Sequence, residues 1–261
     1  MSEKKKSPAT AIATSSTDQI VVRGRDLVED LMGKIDFTTM ICLHLNGGRL
    51  PEPGEVAVVN AVLVALMEHG LTPSSITARL IYDSSPESIQ GAVAAGLLGA
   101  GSQFLGSTED AARILQAGVV EIEAGRAVDE VAAELADGFA RDRTPVPGFG
   151  HHIHRPDDPR APRLFEIARE SGTAGAHQEL LLALSRALDE AKGKHITINA
   201  TGAVAAVLSD VGYPWYALRG FSLIARSAGL IGHVMEEADR PTARALWAMA
   251  EREIPYDGDL P

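Results

Sequence analysis

Pro147-Gly148-Phe149-Gly150-His151-His152-Ile153-His154-Arg155-Pro156-Asp157-Asp158-Pro159-Arg160 is the stretch around which the rest of this chain has to be arranged. From Arg143 to Pro162 the sequence holds five prolines, two glycines and three histidines, so no regular helix runs through it and it reads as a shaped loop. Between Arg141 and Arg163 five arginines face three aspartates, a local balance of +2 in a chain of net charge -11. Composition leaves two readings open. One is a surface loop held by Arg–Asp pairs; the other is an anion site, where guanidinium forks and glycine-exposed amides meet a phosphate or carboxylate. Metal ligation by His151, His152 and His154 is not expected, because adjacent histidines usually point apart and no thiolate is near.

Outward from this loop the chain reads as helices. Aromatics are only 5% of 261 residues, while small and aliphatic residues dominate, a balance that suits closely packed helices better than a β-sandwich. Apolar spacing predicts helices over 25–32, 37–45, a segment opened by Pro51 and Pro53 and closed at Gly70, 74–82 and 86–98. Beyond these it predicts 108–117 and 128–141, then 163–171, 177–191, 199–211, 216–237 and 242–252 after the loop. The expected architecture is all-α. Residues 1–20 are expected to be a disordered polar tail, followed by a single core over 21–261 with no internal repeat.

Charge and cysteine content narrow the function classes. An acidic chain repels nucleic acid and anionic lipid surfaces, so neither is an expected partner. The longest apolar run, Val56 to Met67, is interrupted by Asn60 and falls short of the about 20 residues that span a bilayer. Cys42 is the sole cysteine and forms no intrachain disulfide, which suits a reducing compartment; with no secretory signal in view, the expected location is cytoplasmic.

Gly148-Phe149-Gly150-His151, then Arg155, then Asp158-Pro159-Arg160 is similar, with matched spacing, to the G-x-G-H…R…D-P-R signature of citrate synthases. Further segments resemble the same family: Gly48-Arg49-Leu50-Pro51, Glu68-His69-Gly70, Ser74 to Arg79, and Arg226 to His233. The short chain and Phe104, where citrate synthases carry a histidine in a G-P-L-H-G-G loop, look more like the citryl-CoA lyase branch, including the C-terminal module of ATP-citrate lyase. The resemblance implies a large helical domain with a smaller helical lobe over roughly 107–220. It also implies a homodimer and a cleft that takes a CoA thioester and a carboxylate-bearing 2-oxo acid, acetyl-CoA and oxaloacetate in the family's reaction. By position it implies His151 at the reacting carbonyl or hydroxyl oxygen, His69 on the acid, and Arg160 and Arg226 on its carboxylates. CoA contacts are implied for Arg155, Phe104 and the backbone of Val146, Pro147, Gly148, Phe149 and Gly150. His69 is alternatively a helix-end cap, Arg79 an ion-pair partner and His233 a packed core residue.

The match breaks at one chemically decisive place. The family's carboxylate base sits in an N-V-D-G segment, whereas this chain reads Asn199-Ala200-Thr201-Gly202. A threonine hydroxyl has no accessible pKa for moving a proton at the acyl α-carbon, and losing a general acid or base slows a reaction by roughly two to four orders of magnitude. Asp83 or Glu109 entering the site, or a water held by Thr201, are the alternatives. The expected function is therefore a citryl-CoA lyase-like enzyme with altered activity. The rival is a CoA-ester and carboxylate-binding protein of the same fold acting as sensor, partner subunit or thioesterase.

Overall fold

A computed structural model describes residues 8–101, 106–151 and 154–259. Its centre is α9 (Ala200–Asp210), in which every residue from Ala200 to Ser209 except Thr201 is buried. Such a helix, made of alanine, valine and glycine and apolar all round, is stable only when surrounded. Around it pack α5 (Ser107–Glu123), α7 (Arg160–Glu170), α8 (Ala176–Lys192) and α2 (Pro53–Met67). α6 (Val128–Asp142) packs on α8 outside this layer. On the other side α3 (Pro73–Ser84) and α4 (Ile89–Leu98) form a hairpin against the 22-residue α10 (Leu218–Asp239), with Ala78, Ala92, Leu230 and Val234 as its small core. α1 (Phe37–Leu45) lies on α2, and α11 (Ala243–Glu253) closes on α3. The chain is mainly helical, and among the described residues no helix is long and apolar enough to cross a membrane.

Several expected elements take different bounds, each for a local reason. The expected tail is already structured at Ala13: strands β1 (Ala13–Ser15), β2 (Ile20–Val22) and β3 (Arg25–Asp26) form an antiparallel sheet with Ala13 opposite Val22 and Val22 opposite Arg25. A tight turn through Arg23 and Gly24, both at positive φ, joins β2 to β3, and Arg23 Nε donates to the His44 carbonyl at 3.0 Å. Residues 27–31 form a π-turn instead of the predicted α-helix; the wider turn leaves Val28 and Met32 exposed and buries Leu31. α5 runs on to Glu123 because Leu115 and Val119 stay in the core. α7 begins at Arg160, three residues before the predicted start, since Pro162 falls in its first turn, where a missing N–H is harmless.

Two close approaches depend on glycine. A Cβ on Gly229 would lie 2.1 Å from the Met67 carbonyl, so its absence lets α10 touch the end of α2. A Cβ on Gly202 would lie 2.4 Å from the Gly148 carbonyl, so the proline-rich loop rests backbone on backbone against α9.

Candidate active site

The loop is fastened to the start of α9 by main-chain bonds and by the Asn199 side chain. Gly150 N donates to Thr197 O at 2.7 Å, Asn199 N to Gly148 O at 3.0 Å, and Asn199 Nδ2 to Gly150 O at 2.9 Å. Asn199 also caps α9, its Oδ1 accepting from Gly202 N at 3.1 Å and from Thr201 Oγ1 at 2.6 Å. Beneath them Asp158 is wholly buried. It accepts from Arg160 N, Nε and Nη2 at 3.1, 3.0 and 2.8 Å and from Ala200 N at 3.0 Å, joining the N-termini of α7 and α9. Burial pushes its carboxyl upward, but the Arg160 and Ala200 donors outweigh it and hold the pKa at about 2.

Just before Thr197, His195 bridges Asp189 through Nδ1 (2.7 Å) and Asp157 through Nε2 (2.8 Å), so both ring nitrogens face carboxylates. Hydrogen bonds to Asp189 and then Asp157 raise its pKa above the ordinary 6.5. A raised imidazole pKa contributes stability that is complete below the unfolded value and fades as pH rises through the folded one. Because the ring is largely exposed, the contribution is below about 1 kcal/mol. Melting curves recorded from pH 6 to 9 should therefore fall slightly more for the wild type than for His195→Gln; parallel curves would show that this bridge carries no stability.

The opposite wall is built where α2 ends. Glu68 is extended, and its Oε1 accepts from the amides of His69 at 2.8 Å and Gly70 at 2.7 Å. α3 then starts on a capping box of Thr72 and Ser75 with Pro73 at its first position. α10 contributes Arg226, only 7% exposed, whose Nη1 is buried and has no hydrogen-bond partner among the described residues. Burial is the largest influence on this guanidinium and pulls its pKa below the usual value, with Glu68 opposing and Arg160 adding to the fall.

Between these walls lies a cavity of about 650 Å³ lined by His69, His151, Arg160, Arg226, Ser107 and Thr201 among others. Among the described residues, no carboxylate lines it. His69 and His151 meet edge to face with ring centroids 6.1 Å apart. Ser107 Oγ donates to Thr201 Oγ1 at 3.1 Å, which hands its own proton to Asn199. The structure thus gathers His69, His151, Thr201, Arg160 and Arg226 into one space. It does not bring in the two carboxylates considered as substitutes: Asp83 is held by Arg244 at 2.6 Å and Glu109 by Arg219 at 2.5 Å. Arg155 is exposed at the loop's outer edge. Val146, Phe149 and Gly150 line a second cavity of about 210 Å³ with Phe139, Leu188 and Lys192, while Pro147 lies between Val146 and Gly148 and is half-buried. Phe104 and His152 lie outside the described residues.

His154, to which the sequence motifs assign no role, stands beside His151 in the structure. Its ring lies 4.4 Å from that of His151, and one ligand nitrogen from each of His69, His151 and His154 falls within 4.8 Å of the others. The donor set nevertheless fits a cation poorly. His154 N donates to His151 Nδ1 at 3.0 Å, so the neutral His151 ring carries its proton on Nε2 and presents a donor there instead of a ligand lone pair. Asp158 and Glu68 were also missed. The only sequence signal for either was its place inside a matched motif.

Comparison with known proteins gives the following. The family model for the citrate synthase C-terminal domain matches residues 6–246. The solved citryl-CoA lyase of Hydrogenobacter thermophilus is 33% identical and superposes with a TM-score of 0.87 over 98% of this chain and 96% of that one. The ATP citrate lyase of Methanothrix soehngenii, solved with citrate and coenzyme A, is 20% identical with a TM-score of 0.80 over 99% of this chain and 43% of that one, a likeness of fold. A putative citrate synthase 2 of Mycobacterium tuberculosis is 29% identical over 72% of this chain. The chain spans about half the length of that relative, 49%.

Proposed function

The chain belongs to the citrate synthase family, and from that premise we propose that it breaks or makes a carbon–carbon bond between a CoA thioester and a 2-oxo acid, with acetyl-CoA and oxaloacetate as reactants and citryl-CoA as their adduct. One observation carries the reading. Arg226, whose buried Nη1 has no hydrogen-bond partner among the described residues, lines a cavity together with Arg160, His69 and His151, and no carboxylate is among its described lining. A buried guanidinium left without a partner is strongly penalised, and a carboxylate ligand supplies what it lacks.

In this reading the acid lies between Arg226 and Arg160, and His151 Nε2–H donates to its carbonyl oxygen, stabilising the negative charge gathered there as the bond forms. The Arg160 fork is already pinned by Asp158, so it meets the ligand without reorganisation. The CoA moiety lies along the other face of the loop, its adenine against Val146 to Gly150 and its phosphates near Arg155 and Lys192. In the cleavage direction the citryl hydroxyl passes its proton to water, the oxygen electron pair closes to the carbonyl, the C–C pair passes to the thioester enolate, and the enolate carbon takes up a proton from water. Thr201 stands where that last proton would be delivered and cannot deliver it efficiently. Exposed Ile231, Met235 and Trp247 on α10 and α11 support a homodimer.

The test is incubation of the purified chain with citryl-CoA. Oxaloacetate and acetyl-CoA appearing in equal amounts, however slowly, supports bond cleavage. Free CoA without oxaloacetate favours thioester hydrolysis. Tight binding with no product favours the second reading, a CoA-ester and carboxylate-binding protein, which Thr201 and the absence of a carboxylate among the described lining support. Arg226→Gln should raise the Kd for oxaloacetate by about 10- to 100-fold, the weight of hydrogen bonds to a charged group. The Kd for acetyl-CoA measured alone should be unchanged; unaltered oxaloacetate binding would remove Arg226 from the site.

A further inference from the structure

We propose that Glu68 is a positioning residue for His69, held in place by a directional hydrogen-bond chain that runs from Arg79 through His233. The role in acid binding rests on the reading of the cavity given above; the tethering of the His69 turn does not. Arg79 is 2% exposed, and all three of its nitrogens are engaged: Nε donates to His233 Nδ1 at 2.9 Å, Nη1 to Glu237 at 2.8 Å, and Nη2 to Glu236. Glu237 is itself fixed by the amides of Thr242 and Ala243, each at 2.7 Å, at the start of α11. This anchoring dictates the His233 tautomer. Because Nδ1 accepts from Arg79, the neutral ring has its proton on Nε2, which donates to Glu68 at 3.1 Å.

Glu68 in turn accepts from the amides of His69 and Gly70. Helix α2 has already ended at Met67, so these two amides are outside its hydrogen-bond ladder and are fastened to the carboxylate instead. Burial works against the charged form of Glu68, but the bonds from His233 and from the His69 amide outweigh it and lower its pKa, keeping it an anion and therefore an acceptor only. His233 and Arg226 lie seven residues apart, two turns along one face of α10. The chain thus ties the turn that carries His69 to the helix that carries Arg226, and the absence of a side chain at Gly229 lets the two come together.

A purely structural ion-pair cluster and a positioning chain differ in what Glu68→Gln does. With its oxygen in the place of Oε1 the glutamine still accepts the two amides, but its NH2 group stands in the place of Oε2, equally 3.1 Å from His233 Nε2, and confronts that N–H, so the tie to α10 is weakened while the local turn remains. Removing a negative charge near Arg226 would by itself tighten an anion, whereas loss of positioning weakens it. The experiment measures the Kd for oxaloacetate and for acetyl-CoA separately, together with hydrogen exchange at the His69 and Gly70 amides and the melting temperature. The expected result is a rise of about 10-fold or more in the oxaloacetate Kd, the weight of a charge-assisted hydrogen bond, with unchanged acetyl-CoA binding and faster exchange at both amides. Oxaloacetate binding that is unchanged or tighter, or a parallel loss of both ligands with a lowered melting temperature, overturns the proposal. If the wild-type chain binds no oxaloacetate, the reading of the cavity fails by itself. Exchange at the two amides then decides the tether, faster exchange in Glu68→Gln upholding it and unchanged exchange refuting it. Should that variant not fold, His233→Gln is measured in the same way with the same expected and overturning results.

Discussion

Replacing Thr201 by Asp should increase the rate of citryl-CoA cleavage by about two to four orders of magnitude, the usual contribution of a positioned general acid or base. Position 201 is prepared for a carboxylate in three respects. It lies in the first turn of α9, where backbone amides and the helix dipole favour negative charge. Ser107 already donates to the threonine oxygen and would donate equally to an aspartate oxygen. No other carboxylate among the described lining competes for the proton or repels the new charge. The aspartyl group would return a proton to the enolate carbon on cleavage and remove it on synthesis, the step that the hydroxyl cannot perform. Single-turnover assays on Thr201→Asp, with Thr201→Asn as an isosteric neutral control, separate the outcomes. A rise confined to the aspartate supports the reading; equal rates in all three proteins would show that proton transfer at this position does not limit the reaction.

The second large effect is on stability. Asp158→Asn should destabilise the fold by about 3–5 kcal/mol, the range for breaking a buried ion pair from one side. For a chain of this size that corresponds to a fall in Tm of roughly 6–20 °C. Asp158 accepts four bonds from Arg160 and Ala200, and an asparagine amide would turn its NH2 group toward donors it cannot satisfy. The same residue sets an acid limit. With its pKa lowered from 3.8 to about 2, Asp158 contributes stability that is complete above pH 4 and is lost as pH falls through about 2. Acid titration of the wild type followed by circular dichroism should show this loss, and the asparagine variant should lack its share of the pH dependence. A variant that melts with the wild type would refute the bridging role.

Both predictions depend on residues whose weight was unequally visible in the sequence. Helix α1 was legible to the residue because its apolar run, Phe37 to Leu45, ends before Gly47-Gly48, and the structure adds the Asp36 cap that starts it. His69, His151, Arg160 and Arg226 were legible through motif spacing, and the fold does gather them although His69 and Arg226 stand far apart in the chain. The short strands were not legible, since three residues are too few to show alternation. Nor was the burial of Asp158, because an aspartate between two prolines and an arginine reads as surface until α7 and α9 converge on it. The Arg79–His233–Glu68 chain was hidden for the same reason. Each member looked ordinary on its own helix, and the bonds join positions more than 150 residues apart.

The contact between Gly148 and Gly202 also bears on how this scaffold can be altered. Two stretches of main chain lie against each other there, so the height of the loop above α9 is set first by backbone contact, with Asn199 and Asp158 fastening it. Chemistry at 107 and 201 can therefore be exchanged without shifting the register of the loop, while 148 and 202 admit nothing larger than hydrogen. A library varied at the first pair and fixed at the second would explore new reactions on an unchanged frame.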